Sequence, residues 1–182
     1  LAIEKTTLRP DLIASLFSNQ FGTTNQPYTN IEIPGQIFAV DYDIGNQGVS
    51  YFDTEYKQVS SDENQNTGNN GWSYRNDGVD IESCSDPTID YNIGWIETGE
   101  WLEYTVNITK SGSYTTKAII ASTGAGKMRI KVNVKQIGSD LDVPDTGGYQ
   151  NWGQINFGQQ SFNAGEALVR VEILEGNFSF AM

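Results

Sequence analysis

Apolar and polar residues alternate with period two along Trp101-Leu102-Glu103-Tyr104-Thr105-Val106-Asn107-Ile108, and again along Lys127-Met128-Arg129-Ile130-Lys131-Val132-Asn133-Val134. Ala167, Val169, Val171 and Ile173 repeat the pattern near the end of the chain. Side chains leave a strand on alternate faces, so this period predicts half-buried strands of an antiparallel sheet. Turn clusters separate them: Lys110-Ser111-Gly112-Ser113, Thr123-Gly124-Ala125-Gly126, Asp145-Thr146-Gly147-Gly148 and Asn163-Ala164-Gly165. Many short strands with regular turns predict an all-β, antiparallel β-sandwich.

The first 33 residues read differently. Arg9-Pro10-Asp11-Leu12-Ile13-Ala14-Ser15-Leu16-Phe17 predicts a short helix, with Pro10 accommodated in its first turn. Phe21-Gly22-Thr23-Thr24-Asn25-Gln26-Pro27 reads as a linker. The division expected is an N-terminal linker or strap over residues 1–33 and a β-sandwich over 34–182. Residues 60–76 form a long polar stretch that carries Trp72, Tyr74 and Arg75. A loop of that length is functional or disordered more often than merely connecting.

Composition narrows the chemistry. At 182 residues the chain fits one domain with a real core. It has no apolar run near the roughly 20 residues of a membrane span. There is no basic start followed by an apolar run, so any export signal is expected outside these residues. Eleven Lys and Arg stand against 23 Asp and Glu, a net charge of −12. That balance argues against nucleic acid and against an anionic membrane surface, and leaves a neutral partner unopposed. Cys84 is the single cysteine, so no internal disulfide forms. The chain has no histidine, which excludes Ser–His–Asp and Cys–His catalysis and histidine-ligated zinc. Carboxylate chemistry is the one enzymatic route left.

Four Trp and nine Tyr fall largely in turn-rich stretches. A sugar ring offers an apolar C–H face to an aromatic ring and hydroxyls to amides and carboxylates, so such a grouping suits a neutral saccharide. Packing into the core is the alternative reading for each ring taken singly.

Seven ordered stretches carry a resemblance. They are Ile33-Pro34-Gly35-Gln36-Ile37-Phe38-Ala39-Val40-Asp41-Tyr42-Asp43, Gly48-Val49-Ser50-Tyr51-Phe52-Asp53-Thr54, and Tyr74-Arg75-Asn76-Asp77-Gly78-Val79-Asp80-Ile81-Glu82. Tyr91-Asn92-Ile93-Gly94-Trp95-Ile96 follows, with Gly99-Glu100-Trp101-Leu102-Glu103-Tyr104-Thr105-Val106 directly after it. Ser111-Gly112-Ser113-Tyr114-Thr115 and Thr146-Gly147-Gly148-Tyr149-Gln150-Asn151-Trp152 keep the order. Over about residues 33–182 the chain resembles carbohydrate-binding module family 6, and its Tyr-Arg-x-x-Gly-Val-Asp-Ile-Glu stretch resembles modules attached to agarases and β-1,3-glucanases.

The resemblance implies a jelly-roll sandwich, extracellular or at the cell surface, appended to a glycoside hydrolase that it holds near a polysaccharide. It implies a cleft among loops at one end, where Trp95 and Tyr149 sandwich a sugar ring while Glu82 and Asn177 bond its hydroxyls. Trp72 and Arg75 join the expected sugar-binding residues: the loop Asn69-Asn70-Gly71-Trp72 would wall the cleft and favour chain ends, the alternative being that Trp72 packs Tyr74 and Arg75 onto the sandwich. A second site on the concave face would use Trp101, which the alternation points away from Leu102, Tyr104, Val106 and Ile108. The family's structural calcium loses a carboxylate where Val40 stands, and no acidic residue follows Asn177 in the last strand. Tyr149 replaces the usual Trp, a smaller platform with a hydroxyl. Two other classes stay open. One is a small carboxylate-dependent glycoside hydrolase using residues such as Asp80, Glu82, Glu97 and Glu100. The other is an adhesion or structural sandwich.

Overall fold

The structure is a computed structural model, and it describes residues 22–54, 74–75 and 77–182. The expected helix over residues 9–17 and Trp72 lie outside the described residues. Two sheets face each other. The larger runs β1 (Ile31–Ile33), β5 (Trp101–Ile108), β10 (Gly165–Glu175), β7 (Gly126–Val132) and β8 (Lys135–Val143), with β2 (Tyr51–Phe52) also paired to β5. The smaller runs β3 (Ile81–Ser83), β4 (Tyr91–Ile93), β11 (Phe178–Phe180), β6 (Gly112–Ser122) and β9 (Gly148–Phe162). All pairings are antiparallel except that of β1 with β5.

The apolar half of the alternation predicted for β5 is realised at every position, whereas on its polar half Glu103 is buried, paired with Arg170. Leu102, Tyr104, Val106 and Ile108 are buried, and so are Met128 and Ile130 of β7 and Ala167, Val171 and Ile173 of β10. Ile81, Ile93, Ala118, Ile120, Ile155, Phe157, Phe178 and Phe180 meet them from the smaller sheet. At about 25 cal/mol per Å² of apolar area removed from water, this inter-sheet layer is the main stabilising term. Of the segment expected to be linker or strap, residues 22–33 are described, and Ile31–Ile33 adds strand β1 beside Val106, Asn107 and Ile108.

β1 and β2 share one flank of β5 and leave a gap between them. Asp43 fills it. Its N–H donates to the Glu103 carbonyl at 2.8 Å, and its carboxylate accepts the Thr105 N–H at 2.9 Å. A 3-10 turn, Ala39–Asp41, leads the chain there.

One expectation fails at its end. The alternation ran through Val134, but β7 stops at Val132, and Val132 pairs with Lys135 across a two-residue turn of Asn133 and Val134. Both have positive φ, 48° and 64°, as a hairpin turn matching the strand twist requires. Asn133 suits it, and its backbone and side chain both bond Leu168. Val134 does not, because a β-branched residue crowds its own backbone there, and its side chain is 91% exposed. Val134→Gly is therefore expected to raise stability by about 1 kcal/mol. Thermal unfolding checks this, and a lower midpoint would show that Val134 is not strained.

Candidate functional site

Three pieces of chain meet at the end of the sandwich where β5 begins. They are residues 94–100 between β4 and β5, the turn at 176–177 between β10 and β11, and the first residues of β9. With Glu82 of β3 they enclose a cleft of about 990 Å³, lined by Glu82, Trp95, Glu97, Tyr149, Glu175 and Asn177 among others. The structure thus brings Trp95, Tyr149, Glu82 and Asn177 to one place. Trp95 is 51% exposed and Tyr149 43%, so two large rings face solvent in the same cleft.

Local backbone explains the placement. A Cβ on Gly176 would lie 2.5 Å from the Ile96 carbonyl oxygen, so only glycine lets the two loops close on each other. The Asn177 N–H then donates to that same Ile96 carbonyl at 2.8 Å. Trp95 has φ 47° and Asn177 φ 78°. Among the described residues, positive φ at non-glycine positions occurs at these two and at the 133–134 turn. Strain of this kind persists where surrounding structure over-determines it, and it gathers at functional sites.

The polar groups are held before any ligand arrives. The Tyr149 hydroxyl donates to Asn177 Oδ1 at 2.5 Å. Glu82 Oε1 accepts from Asn92 Nδ2 at 3.1 Å and from Gln150 Nε2 at 2.9 Å. Gln150 Nε2 also donates to Asn92 Oδ1 at 3.0 Å, and Gln150 Oε1 accepts the Ser85 N–H at 2.7 Å. Asn92, Gln150 and Glu175 were not among the expected site residues, and Glu97 was expected only as a carboxylate of the hydrolase alternative. A polar residue at the middle of the apolar strand Tyr91–Ile93 was the available signal for Asn92.

Other expected positions fall elsewhere. Arg75 is not in the cleft. It is 8% exposed, its guanidinium lies over the rings of Tyr42 at 3.7 Å and Tyr28 at 4.3 Å, and its hydrogens go to Asp77 and to the carbonyls of Val40, Tyr42 and Asp43. No donor is left over for a sugar. Trp101 sits half-buried on the outer face of the larger sheet, as its alternation required, but the Arg170 guanidinium covers its ring at 3.7 Å. Arg170 is held there by Glu103 at 2.8 Å, so a sugar stacking on that face of the ring would have to displace an ion pair. Burial pushes the Cys84 thiol above its ordinary range, which fits a half-buried filler and not a reactive thiolate.

The region of the family's calcium does not fit that ion. The Val40 side chain is buried, its carbonyl accepts from Arg75, and no cluster of three or more His, Cys, Asp or Glu forms among the described residues. Calcium wants six to eight oxygens.

A model of the carbohydrate binding module (family 35) matches residues 75–182. The chain belongs to this family. Among solved structures it is similar to the C-terminal family 6 module of LamC, a marine laminarinase of Zobellia galactanivorans, at 28% identity over 60% of this chain and 87% of that one, TM-score 0.51. It is also similar to a family 6 module of Cellvibrio mixtus lichenase 5A solved with cellotriose, at 27% identity over 57% and 82%, TM-score 0.50. A β-1,3-glucan binding family 6 module of Bacillus halodurans shares the fold at 20% identity over 84% and 96%, TM-score 0.56. The motif resemblance therefore holds for the type of module that families 6 and 35 share. Such carbohydrate-binding modules are non-catalytic.

Beside the module's cleft, Glu100 is 8% exposed, and burial raises its carboxyl from 4.5 to about 7. The N–H groups of Glu97 and Thr54 and the Thr54 hydroxyl oppose that rise, and the charge of Asp80 adds to it. The Thr54 oxygen lies 2.6 Å from Glu97 Oε2 and 3.0 Å from Glu100 Oε1. The Thr54 hydroxyl has one hydrogen and two carboxylate oxygens within reach, so it donates to one of them at a time.

Two outcomes are expected. As pH rises from about 4.5 to 7 the unfolded chain gives up this proton before the folded one, so this group's contribution to stability falls by on the order of 3 kcal/mol across that window. Unfolding midpoints at pH 5 and 8 test this, and Glu100→Gln should flatten the slope; an unchanged slope would acquit Glu100. Separately, Trp95→Gly should keep or raise the unfolding midpoint while abolishing sugar binding, because glycine takes φ 47° without steric cost. A fall of several degrees would mean that the indole serves packing.

Proposed function

We propose that this module holds a neutral polysaccharide, β-1,3-glucan or an agarose-type galactan, at its chain ends, and thereby keeps an attached glycoside hydrolase near its substrate outside the cell. The observation that carries the reading is two exposed rings, Trp95 and Tyr149, lining one cleft with Glu82 and Asn177. The rings take the apolar faces of a sugar, and the carboxylate and amide take its hydroxyls. Among the described residues Glu82, Glu97 and Glu175 line the cleft and no Lys or Arg does, which disfavours anionic sugars. The similar modules of a laminarinase and a lichenase support a glucan.

A ring pair and a few hydroxyl bonds should bind in roughly the micromolar to millimolar range. Tethering then raises the enzyme's effective concentration at the polymer. Isothermal titration with laminari-, agaro-, xylo- and cello-oligosaccharides should show one preferred series. Trp95→Ala should lose that binding, and Glu82→Gln should weaken it by about 1.5–3 kcal/mol. Stoichiometry fixed at one module per chain as the oligosaccharide lengthens marks chain-end binding. Binding that survives Trp95→Ala would move the site to Trp101, and release of new reducing ends would make the chain a hydrolase.

A further inference from the structure

We infer that Gln150 is the positioning residue of the cleft: it aims Glu82 at the ligand. This rests on the cleft being the sugar site. In the smaller sheet β3 and β9 lie at opposite edges; of the strands between them, β4 and β11 have three residues each, and β6 ends at Ser122, opposite Gly148 at the start of β9. Gln150 nevertheless bonds Glu82 on β3 and Ser85 just beyond it. The start of β9 therefore reaches across the sheet. Ser85 Oγ fastens it further, donating to the Gln150 carbonyl at 2.8 Å and accepting from Trp152 Nε1 at 3.1 Å.

The amide of Gln150 can sit in one orientation only. Its two hydrogens go to Glu82 Oε1 and Asn92 Oδ1, and its oxygen takes the Ser85 N–H. Turned over, it would set oxygen against a carboxylate and NH₂ against an N–H. Asn92, fully buried, closes the loop by donating to Glu82 Oε1 and to the Ile93 carbonyl. Both donors thus fall on one carboxylate oxygen, and among the described residues no donor occupies the other. Glu82 Oε2 is left to accept from a ligand. A Cβ on Gly94 would lie 3.1 Å from Glu82 Oε1, so the backbone before Trp95 also closes down on this carboxylate. Gln150 adjoins Tyr149, and Asn92 precedes Trp95 by three residues, so the network that aims the carboxylate adjoins both rings along the chain.

The expected signature is coupling, read with laminarihexaose as the probe. Gln150→Met keeps the side chain's length and removes its bonds, and should weaken binding roughly tenfold. In a Glu82→Ala background the same change should have no further effect, because Gln150 acts through Glu82. Independent losses that multiply would show instead that Gln150 acts on the sugar itself and would overturn the inference, as would full affinity in Gln150→Met. A second measurement needs no ligand. In ¹⁵N-edited spectra the Gln150 side-chain amide should be protected from exchange, and Glu82→Ala should remove the protection. An amide that ignores Glu82 would refute the network. If the unmodified chain does not bind laminarihexaose, the glucan reading fails, and the amide experiment still decides the role of Gln150.

Discussion

The sandwich is organised around one buried cation. The Arg75 guanidinium lies between the rings of Tyr28 and Tyr42, in line with the preference of a planar guanidinium for aromatic faces. Its charge is met by Asp77 at 2.7 Å, and its remaining hydrogens satisfy carbonyls of the 40–43 turn. Asp77 in turn accepts from the hydroxyls of Tyr42 and Tyr51, one on its carboxylate and one on its carbonyl. A buried charge without partners would cost several kcal/mol, so this arrangement stands or falls as a unit. It binds the N-terminal strap, the 3-10 turn, β2 and the approach to β3 into one body. The Asp80 carbonyl beyond it accepts the Gly94 N–H at 3.1 Å, which carries that rigidity to the base of the cleft.

Much of this was legible in the residues, for reasons that can be named. β5, β7 and β10 are long enough for period two to declare itself. β3, β4 and β11 have three residues each, too few to show a period, and Phe178, Ser179 and Phe180 are all buried because β11 lies between two strands at the centre of its sheet. The same alternation carried β7 too far, since Val134 continues the pattern while the backbone has already turned. The aromatic pair of the cleft was readable because its motifs keep a fixed order. Arg75 was misassigned because an arginine beside aromatics in a polar loop looks the same whether it faces a sugar or the interior. Asn92 and Gln150 gave little sign, because they act on another side chain and not on the ligand.

The positive-φ residues divide by purpose. In the 133–134 turn the conformation follows from joining two strands in two residues, and Val134 is merely a poor occupant. In the cleft it displays a ring and an amide that an ordinary backbone would aim elsewhere. The cleft thereby exchanges local comfort for preorganisation, which lowers the cost of ordering on binding.

The carboxylate of Asp43 has a consequence for crowds of these molecules. Strand edges with open N–H and C=O groups invite pairing with a neighbouring chain. The flank of β5 between its two short partners would be such an edge, yet Asp43 caps it from within the chain. Modules gathered along one polysaccharide meet each other at densities far above those in solution. A flank sealed this way offers a neighbouring chain no open N–H and C=O groups to pair with, so crowding does not template stacking along β5.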